Sequence, residues 1–181
     1  MNRVDKMKSK FIMVCGVAAS GKTRLARELV RTYDAFYLDK DDLQNAFTEQ
    51  RKGEFYKSIV DGSYRAMYNI CSSNLKLGKN VILVAPHVVH MKDESWIEKI
   101  SRMAEESHSD IKVVWCYADK GTIRKRLEER GYERDEDKLR HFEEFLEREP
   151  LRLNIPFDHI EVDTSEEYNV SNIVKFLKGV N

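Results

Sequence analysis

The stretch FIMVCGVAASGKTRLARELV, Phe11 to Val30, constrains the fold of this chain more than any other. An apolar run ends at Cys15, small residues form a turn, and Leu25, Leu29 and Val30 then share one face of a helix. Further strands are expected at AFYL, NVILVA, KVVWCYA and HIEVD, each short and rich in Val, Ile, Phe or Tyr. Helical spacing separates them. After Tyr56, residues Val60, Tyr64, Met67, Cys71 and Leu75 follow a helical repeat that Gly78 ends. Trp96, Ile97, Ile100 and Met103 repeat the pattern, TIRKRLEER and EDKLRHFEEFLERE read as charged helices, and VSNIVKFLKGV closes the chain. Strands alternating with helices predict an α/β domain spanning residues 1–181, its mainly parallel sheet covered on both faces. Ligands of such sheets lie beyond the carboxyl ends of the strands. That rule singles out Gly16 to Thr23, Asp39 to Asp42, Pro86 with His87, and Asp119.

GVAASGKT matches the eight-residue P-loop, or Walker A, pattern, with Gly16, Gly21, Lys22 and Thr23 in its defining places. Such a loop turns backbone N–H groups onto phosphate oxygens, and only side chains as small as those of Ala18, Ala19 and Ser20 leave room. The following helix points its positive end at the same anion. Lys22 then reaches the outer phosphates, the Thr23 hydroxyl can ligate Mg²⁺, and Arg24 adjoins the nucleotide. A purely structural glycine turn is the alternative. Between a strand and a helix, the pattern favours a nucleotide site.

FYLDKDDLQNAF brings Asp39, Asp41 and Asp42 to the end of the second strand. Phosphate transfer needs an acid that organises the metal and a base beside the acceptor hydroxyl. VILVAPHVV carries no acid at its end, which leaves Asp39 for the metal and Asp41 as candidate base. Asp42 would cap the next helix, and capping is also the alternative reading of the whole cluster. In GTIRKRLEERGYERDEDKL, Arg126 and Arg130 are like charges at helix spacing, unfavourable unless an anion lies between them. Gly131 ends the helix and another starts near Glu136, so residues 126–136, with Arg134, are expected to form a lid carrying arginines to the transferring phosphoryl group. A solvated hairpin is the bland alternative.

The charge pattern narrows the partners. Lys and Arg number 31 and Asp and Glu 31, so the net charge is zero and offers no general attraction to nucleic acid or an anionic membrane. Cys15, Cys71 and Cys116 are odd in number and widely spaced, as expected of free thiols in a reducing cytoplasm. No apolar segment approaches membrane-spanning length, and the leader MNRVDKMKSK reads as a loose basic arm. His87 stands at a strand end, where it either contacts substrate or packs in the core, while His90, His108, His141 and His159 read as surface residues. Trp96 and Trp115 fit core positions. Tyr56, Tyr64 and Tyr68 either line an acceptor pocket or join the core.

Taken in order, GVAASGKT, YLDKDDL, RKRLEERGYERDEDKL and HIEVDTS resemble the P-loop kinases that include polynucleotide 5′-kinase, chloramphenicol phosphotransferase and shikimate- or gluconate-kinase-like enzymes. That resemblance implies a three-layer P-loop NTPase fold, a five-stranded parallel sheet ordered 2-3-1-4-5, a small lid, and ATP-dependent phosphorylation of a hydroxyl. It assigns phosphate and metal to Lys22 and Thr23, the acceptor to Asp41, the lid to Arg126, Arg130 and Arg134, and the neighbourhood of adenine to Asp163 and Thr164. The chain departs from the polynucleotide kinase pattern at Leu43, Gln44 and Asn45, where an arginine would stand. A small hydroxyl-bearing acceptor is therefore expected before nucleic acid, with an NTPase or nucleotide switch as a further alternative. The sequence leaves the oligomeric state open.

Overall fold

The computed structural model describes residues 8–48 and 53–180. Strands β1 (Ser9–Cys15), β2 (Phe36–Asp39), β3 (Val81–Val84), β4 (Ser109–Tyr117) and β5 (His159–Asp163) form one parallel sheet in the order β2-β3-β1-β4-β5. The expected order 2-3-1-4-5 is the observed one. Of the N-terminal arm, residues 1–7 lie outside the described residues, and Ser9 and Lys10 open β1 rather than a loose segment. They pair with Ser109 and Asp110 of β4, and Lys10 Nζ meets Asp110 at 2.6 Å.

The continuous apolar runs follow from burial on both faces. Ile12, Val14, Ile82 and Val84 face α1 (Lys22–Leu29) and α8 (Val170–Lys178), packing on Leu25, Leu29, Ile173 and Leu177. Phe11, Met13 and Leu83 face the opposite way, towards α3 (Gly53–Lys76), α4 (Glu94–Glu106), α5 (Lys120–Arg130) and α7 (Phe142–Arg148). Two faces, two helical layers, one sheet. Cys15, Cys71 and Cys116 are buried free thiols, as expected. No helix among the described residues is long and apolar enough to cross a membrane.

The expected helix EDKLRHFEEFLERE is broken. Helix α6 (Glu136–Arg140) stops where His141 leaves the helical region at φ −118° and ψ 51°, and α7 begins at Phe142. No residue of α6 is buried, whereas Phe142, Phe145 and Leu146 of α7 enter the core. The break turns an apolar face inward that a straight helix would carry past the sheet.

Register brings the strand ends level. Val14 of β1 pairs with Val84 of β3, and Val84 with Asp39 of β2, so the phosphate-loop sequence and the acidic segment leave the sheet side by side. Gly16 makes the first turn at φ +136°, its N–H donating to the Pro86 carbonyl at 3.1 Å. A Cβ there would stand 2.1 Å from the Cys116 carbonyl oxygen. Gly16→Ala should therefore cost about 3 kcal/mol, combining an unfavourable backbone angle with a backbone clash. Urea unfolding measures it, and a wild-type midpoint would show that the turn has slack.

Candidate active site

The loop from Gly16 to Gly21 delivers α1 end-on to a cavity of about 520 Å³. Gly21 precedes the helix in the left-handed region (φ 81°) without a side-chain cap, so the first-turn N–H groups of α1 remain for an anion. A Cβ on Gly21 would lie 3.0 Å from Thr164 Oγ1, which fixes glycine at this turn. Ser20 Oγ is buried without a partner at the base of the loop. Lys22 Nζ folds back onto the Val17 carbonyl at 2.6 Å, and burial lowers its pKa. Such a partner is readily exchanged for phosphate.

Across the cavity, Thr23 Oγ1 donates to Asp39 Oδ2 at 3.1 Å. Burial pushes the Asp39 carboxyl upward, against the opposing effect of the Asp41 N–H, which donates to Asp39 Oδ1 at 2.9 Å. Asp39 is thus the N-cap of α2 (Lys40–Asn45), and Asp42, expected as the cap, is an exposed residue of its first turn. The hydroxyl and carboxylate of Thr23 and Asp39 form a hard-oxygen donor set suited to Mg²⁺.

Asp41 sits between cations. Lys40 Nζ lies 2.9 Å from one carboxylate oxygen and Arg134 Nη2 3.0 Å from the other. Burial works to raise this carboxyl's pKa, but Lys40, Arg134 and Lys22 outweigh it and hold the group below its ordinary value. Lys40 was assigned no role from its sequence context, yet it is almost fully buried and lines the cavity. Its signal was available: a lysine between acids in DKDD is the cation that such a cluster needs.

The expected anion between Arg126 and Arg130 is replaced by partners from the chain. Arg126 Nη1 donates to Thr164 Oγ1 at 2.9 Å and to the Ala19 carbonyl at 3.3 Å. Arg130 and Lys138 clasp Asp135, which is only 1% exposed, at 2.6 and 2.9 Å. Asp135 lies amid the charges of ERDEDKL, and nothing in that pattern marked it as buried. All three lid arginines line the cavity, as does Arg24, which pairs with Glu28. Thr164 braces the loop by donating to the Ser20 carbonyl at 3.0 Å, while Asp163 turns its carboxylate to Ser165 rather than towards the cavity.

The far wall is aromatic. Tyr56, Tyr64, His87 and His90 line it, while Tyr68 lies behind, accepting a 2.9 Å hydrogen bond from Trp96 Nε1. His90, expected at the surface, is half-buried, its ring 5.1 Å from Tyr64 and 5.5 Å from Trp96. His108, His141 and His159 are exposed, and Trp115 lies in the core.

Comparison with known proteins agrees with this layout. The family model for an AAA domain matches residues 11–151, more than three quarters of the chain. No curated protein matches in sequence. A candidate kinase from Chloroflexus aurantiacus superposes with a TM-score of 0.75 at 18% identity, covering 97% of this chain and 100% of its own. A gluconokinase from Sinorhizobium meliloti gives 0.53 at 15% identity, covering 94% and 90%. A chain of the Pnkp1/Rnl/Hen1 RNA repair complex gives 0.55 at 19% identity, covering 89% of this chain and 51% of that one. At these identities the likeness is one of fold, the P-loop kinase fold.

The Asp135 clasp generates a test of the lid. Burial acts to raise this carboxyl's pKa, but the Arg130 and Lys138 hydrogen bonds outweigh it and depress the folded value. Its stabilisation is therefore complete above the unfolded value and lost as pH falls through the lower folded one. Asp135→Asn should cost about 2 kcal/mol. It should also speed amide hydrogen exchange around residues 130–138 at neutral pH, as strong acid does in the wild type. Wild-type exchange in a folded variant would show that the clasp does not hold the segment.

Proposed function

The chain belongs to the AAA domain family, and we propose that it uses this site to move the γ-phosphate of ATP onto a hydroxyl of a small molecule. One observation carries the reading: Lys22 of the loop and the Asp41 carboxylate face one cavity, beneath Arg126, Arg130 and Arg134. The half-buried Asp41 carboxylate stands across the cavity from Lys22, where an acceptor hydroxyl would meet the phosphoryl group.

In this reading the loop N–H groups and Lys22 hold the phosphates. Thr23 and Asp39 would hold Mg²⁺, which when bound neutralises phosphate charge and orients the donor. Asp41 orients the acceptor hydroxyl and accepts its proton as the hydroxyl oxygen bonds to the γ-phosphorus. The bond to the β–γ bridging oxygen breaks and ADP leaves. A carboxylate with a depressed pKa is a weak base, so its main contribution is orientation, with proton uptake late in a loose transition state. The arginines neutralise charge on the phosphoryl group, and their present partners, the Ala19 carbonyl, Asp135 and Asp41, keep them at the cavity wall.

Incubating the protein with γ-labelled ATP, Mg²⁺, a metabolite library and a 5′-hydroxyl oligonucleotide tests the reading. Labelled small-molecule product is expected. Label on the oligonucleotide alone would make it a nucleic-acid kinase, and label in free phosphate alone an NTPase. Lys22→Ala should abolish ATP use while leaving the fold intact, since its ammonium meets a loop carbonyl rather than the core.

Asp41→Asn should lower transfer about a hundred- to ten-thousand-fold with little change in nucleotide affinity. Asp39→Asn should instead raise the Mg²⁺ concentration required. Single-turnover transfer and nucleotide binding, measured separately, distinguish the two. Wild-type transfer by Asp41→Asn would remove it from the reaction.

A further inference from the structure

His87 stands just beyond the end of β3, beside the acidic segment, and is out of keeping with ordinary packing in three respects. It is 1% exposed, and both ring nitrogens lack a hydrogen-bond partner. Its backbone adopts φ +53°, a left-handed conformation uncommon outside glycine and often kept where function needs it. Its ring lies among Tyr64 at 5.8 Å, Tyr68 at 6.0 Å, His90 at 5.3 Å and Trp96 at 5.1 Å. Leaving one buried polar group unpaired costs about 1–3 kcal/mol, and a histidine in an apolar nest could be replaced by leucine at no such cost. Burial, reinforced by His90, Lys40 and Lys22, holds the imidazole well below its usual pKa. The neutral ring keeps one donor and one acceptor.

We propose that His87 is the specificity residue of the acceptor subsite, and that this subsite takes a neutral polyhydroxylated ring of the sugar or cyclitol class. One face of that ring would lie on Tyr64 and His90, and a hydroxyl neighbouring the phosphorylated one would bond to His87. This rests on the phosphotransfer reading above. Tyr64 and His90 are half-buried and line the same cavity as His87.

Two observations select the ligand class. First, the cavity-lining rings are inclined rather than parallel, Tyr64 at 45° to His87 and 44° to His90. Such rings offer apolar faces to the C–H side of a saturated ring and keep polar edges for its hydroxyls. Second, the acceptor-side cations among the described residues are already paired. Lys40 and Arg134 share Asp41, and Arg130 and Lys138 share Asp135. An acceptor carboxylate or phosphate would have to break one of these pairs. A neutral polyol breaks none.

The experiment offers γ-labelled ATP and Mg²⁺ with four acceptor sets: neutral sugars and cyclitols, the corresponding sugar acids, nucleosides, and a 5′-hydroxyl oligonucleotide. Product is expected in the first set alone. For the best acceptor, His87→Ala should raise its KM about tenfold to a hundredfold, far more than it moves the KM for ATP. His87→Gln, which keeps a donor and an acceptor, should recover part of the loss. Independently of turnover and of variant folding, ¹⁵N-histidine NMR of the wild-type protein should show the His87 ring nitrogens shifting when that sugar is added. Product confined to sugar acids, nucleosides or the oligonucleotide would leave the kinase reading standing and overturn the acceptor assignment. An unchanged acceptor KM in folded His87→Ala, or unmoved His87 signals, would overturn it too. Product in no set would overturn both.

Discussion

The site depends on one close approach, the turn of the backbone at Gly16. There the chain leaves β1 between its neighbours, its N–H bonded to the Pro86 carbonyl on one side and its missing Cβ replaced by the Cys116 carbonyl on the other. Neither contact tolerates a side chain. Because both neighbouring strand ends hold this residue, the turn sets where α1 starts, and the packing of Leu25 and Leu29 on the sheet holds its axis. The direction of the loop N–H groups, the reach of Lys22 and the meeting of Thr23 with Asp39 follow from it. Thr164 supplies the second brace, wedged against Gly21 and bonded to the Ser20 carbonyl.

Around that fixed loop the charges form closed sets. Asp41 is shared by Lys40 of its own helix and by Arg134, and Asp135 by Arg130 and Lys138. Buried ions are tolerable only when paired, since an uncompensated one costs several kcal/mol. The segment carrying Arg130 and Arg134, the proposed lid, therefore rests on the site through ion pairs that phosphate can compete for. Arg134 bridging to Asp41 links residues 93 positions apart, and it couples the state of the lid to the proposed base. An anion arriving near Arg134 would draw it from Asp41 and leave that carboxylate a stronger base, when a proton has to be taken.

What the sequence made legible, and what it hid, follows from range. Strands buried on both faces must be apolar throughout, so FIMVC, VILV and VVWC identify themselves. Their polar beginnings do not. Ser9 and Ser109–Asp110 extend the strands expected from Lys10 and Lys112, Ser9 pairing with Ser109 and Lys10 with Asp110, which no local pattern reveals. The break at His141 is equally hidden, since both sides favour helix and only the core's demand for Phe142, Phe145 and Leu146 interrupts it. In the site, the loop residues and the two acids were readable because their chemistry is tied to short spacing. Lys40 and Asp135 were missed because their importance lies in partners brought by the fold. The cap was expected first at Asp42 and falls to Asp39 because the last strand residue also begins the helix.

The absence of an acid at the end of β3 now has a physical sense. Asp39 pairs with Val84 in the sheet, so β2 places its carboxylate beside the strand end that would otherwise carry one. Two residues on, the turn into α2 presents Asp41 to the same cavity, and one short segment supplies both carboxylates that the proposed chemistry requires. In the proposed reading the end of β3 is thereby released from holding metal. A third acid there would have added a buried negative charge next to Asp39, whose carboxyl is already pushed upward by burial and by Asp41 and Asp42. A neutral imidazole adds none. In the proposed reading the end of β2 carries the chemistry, and His87, three residues beyond β3, the recognition.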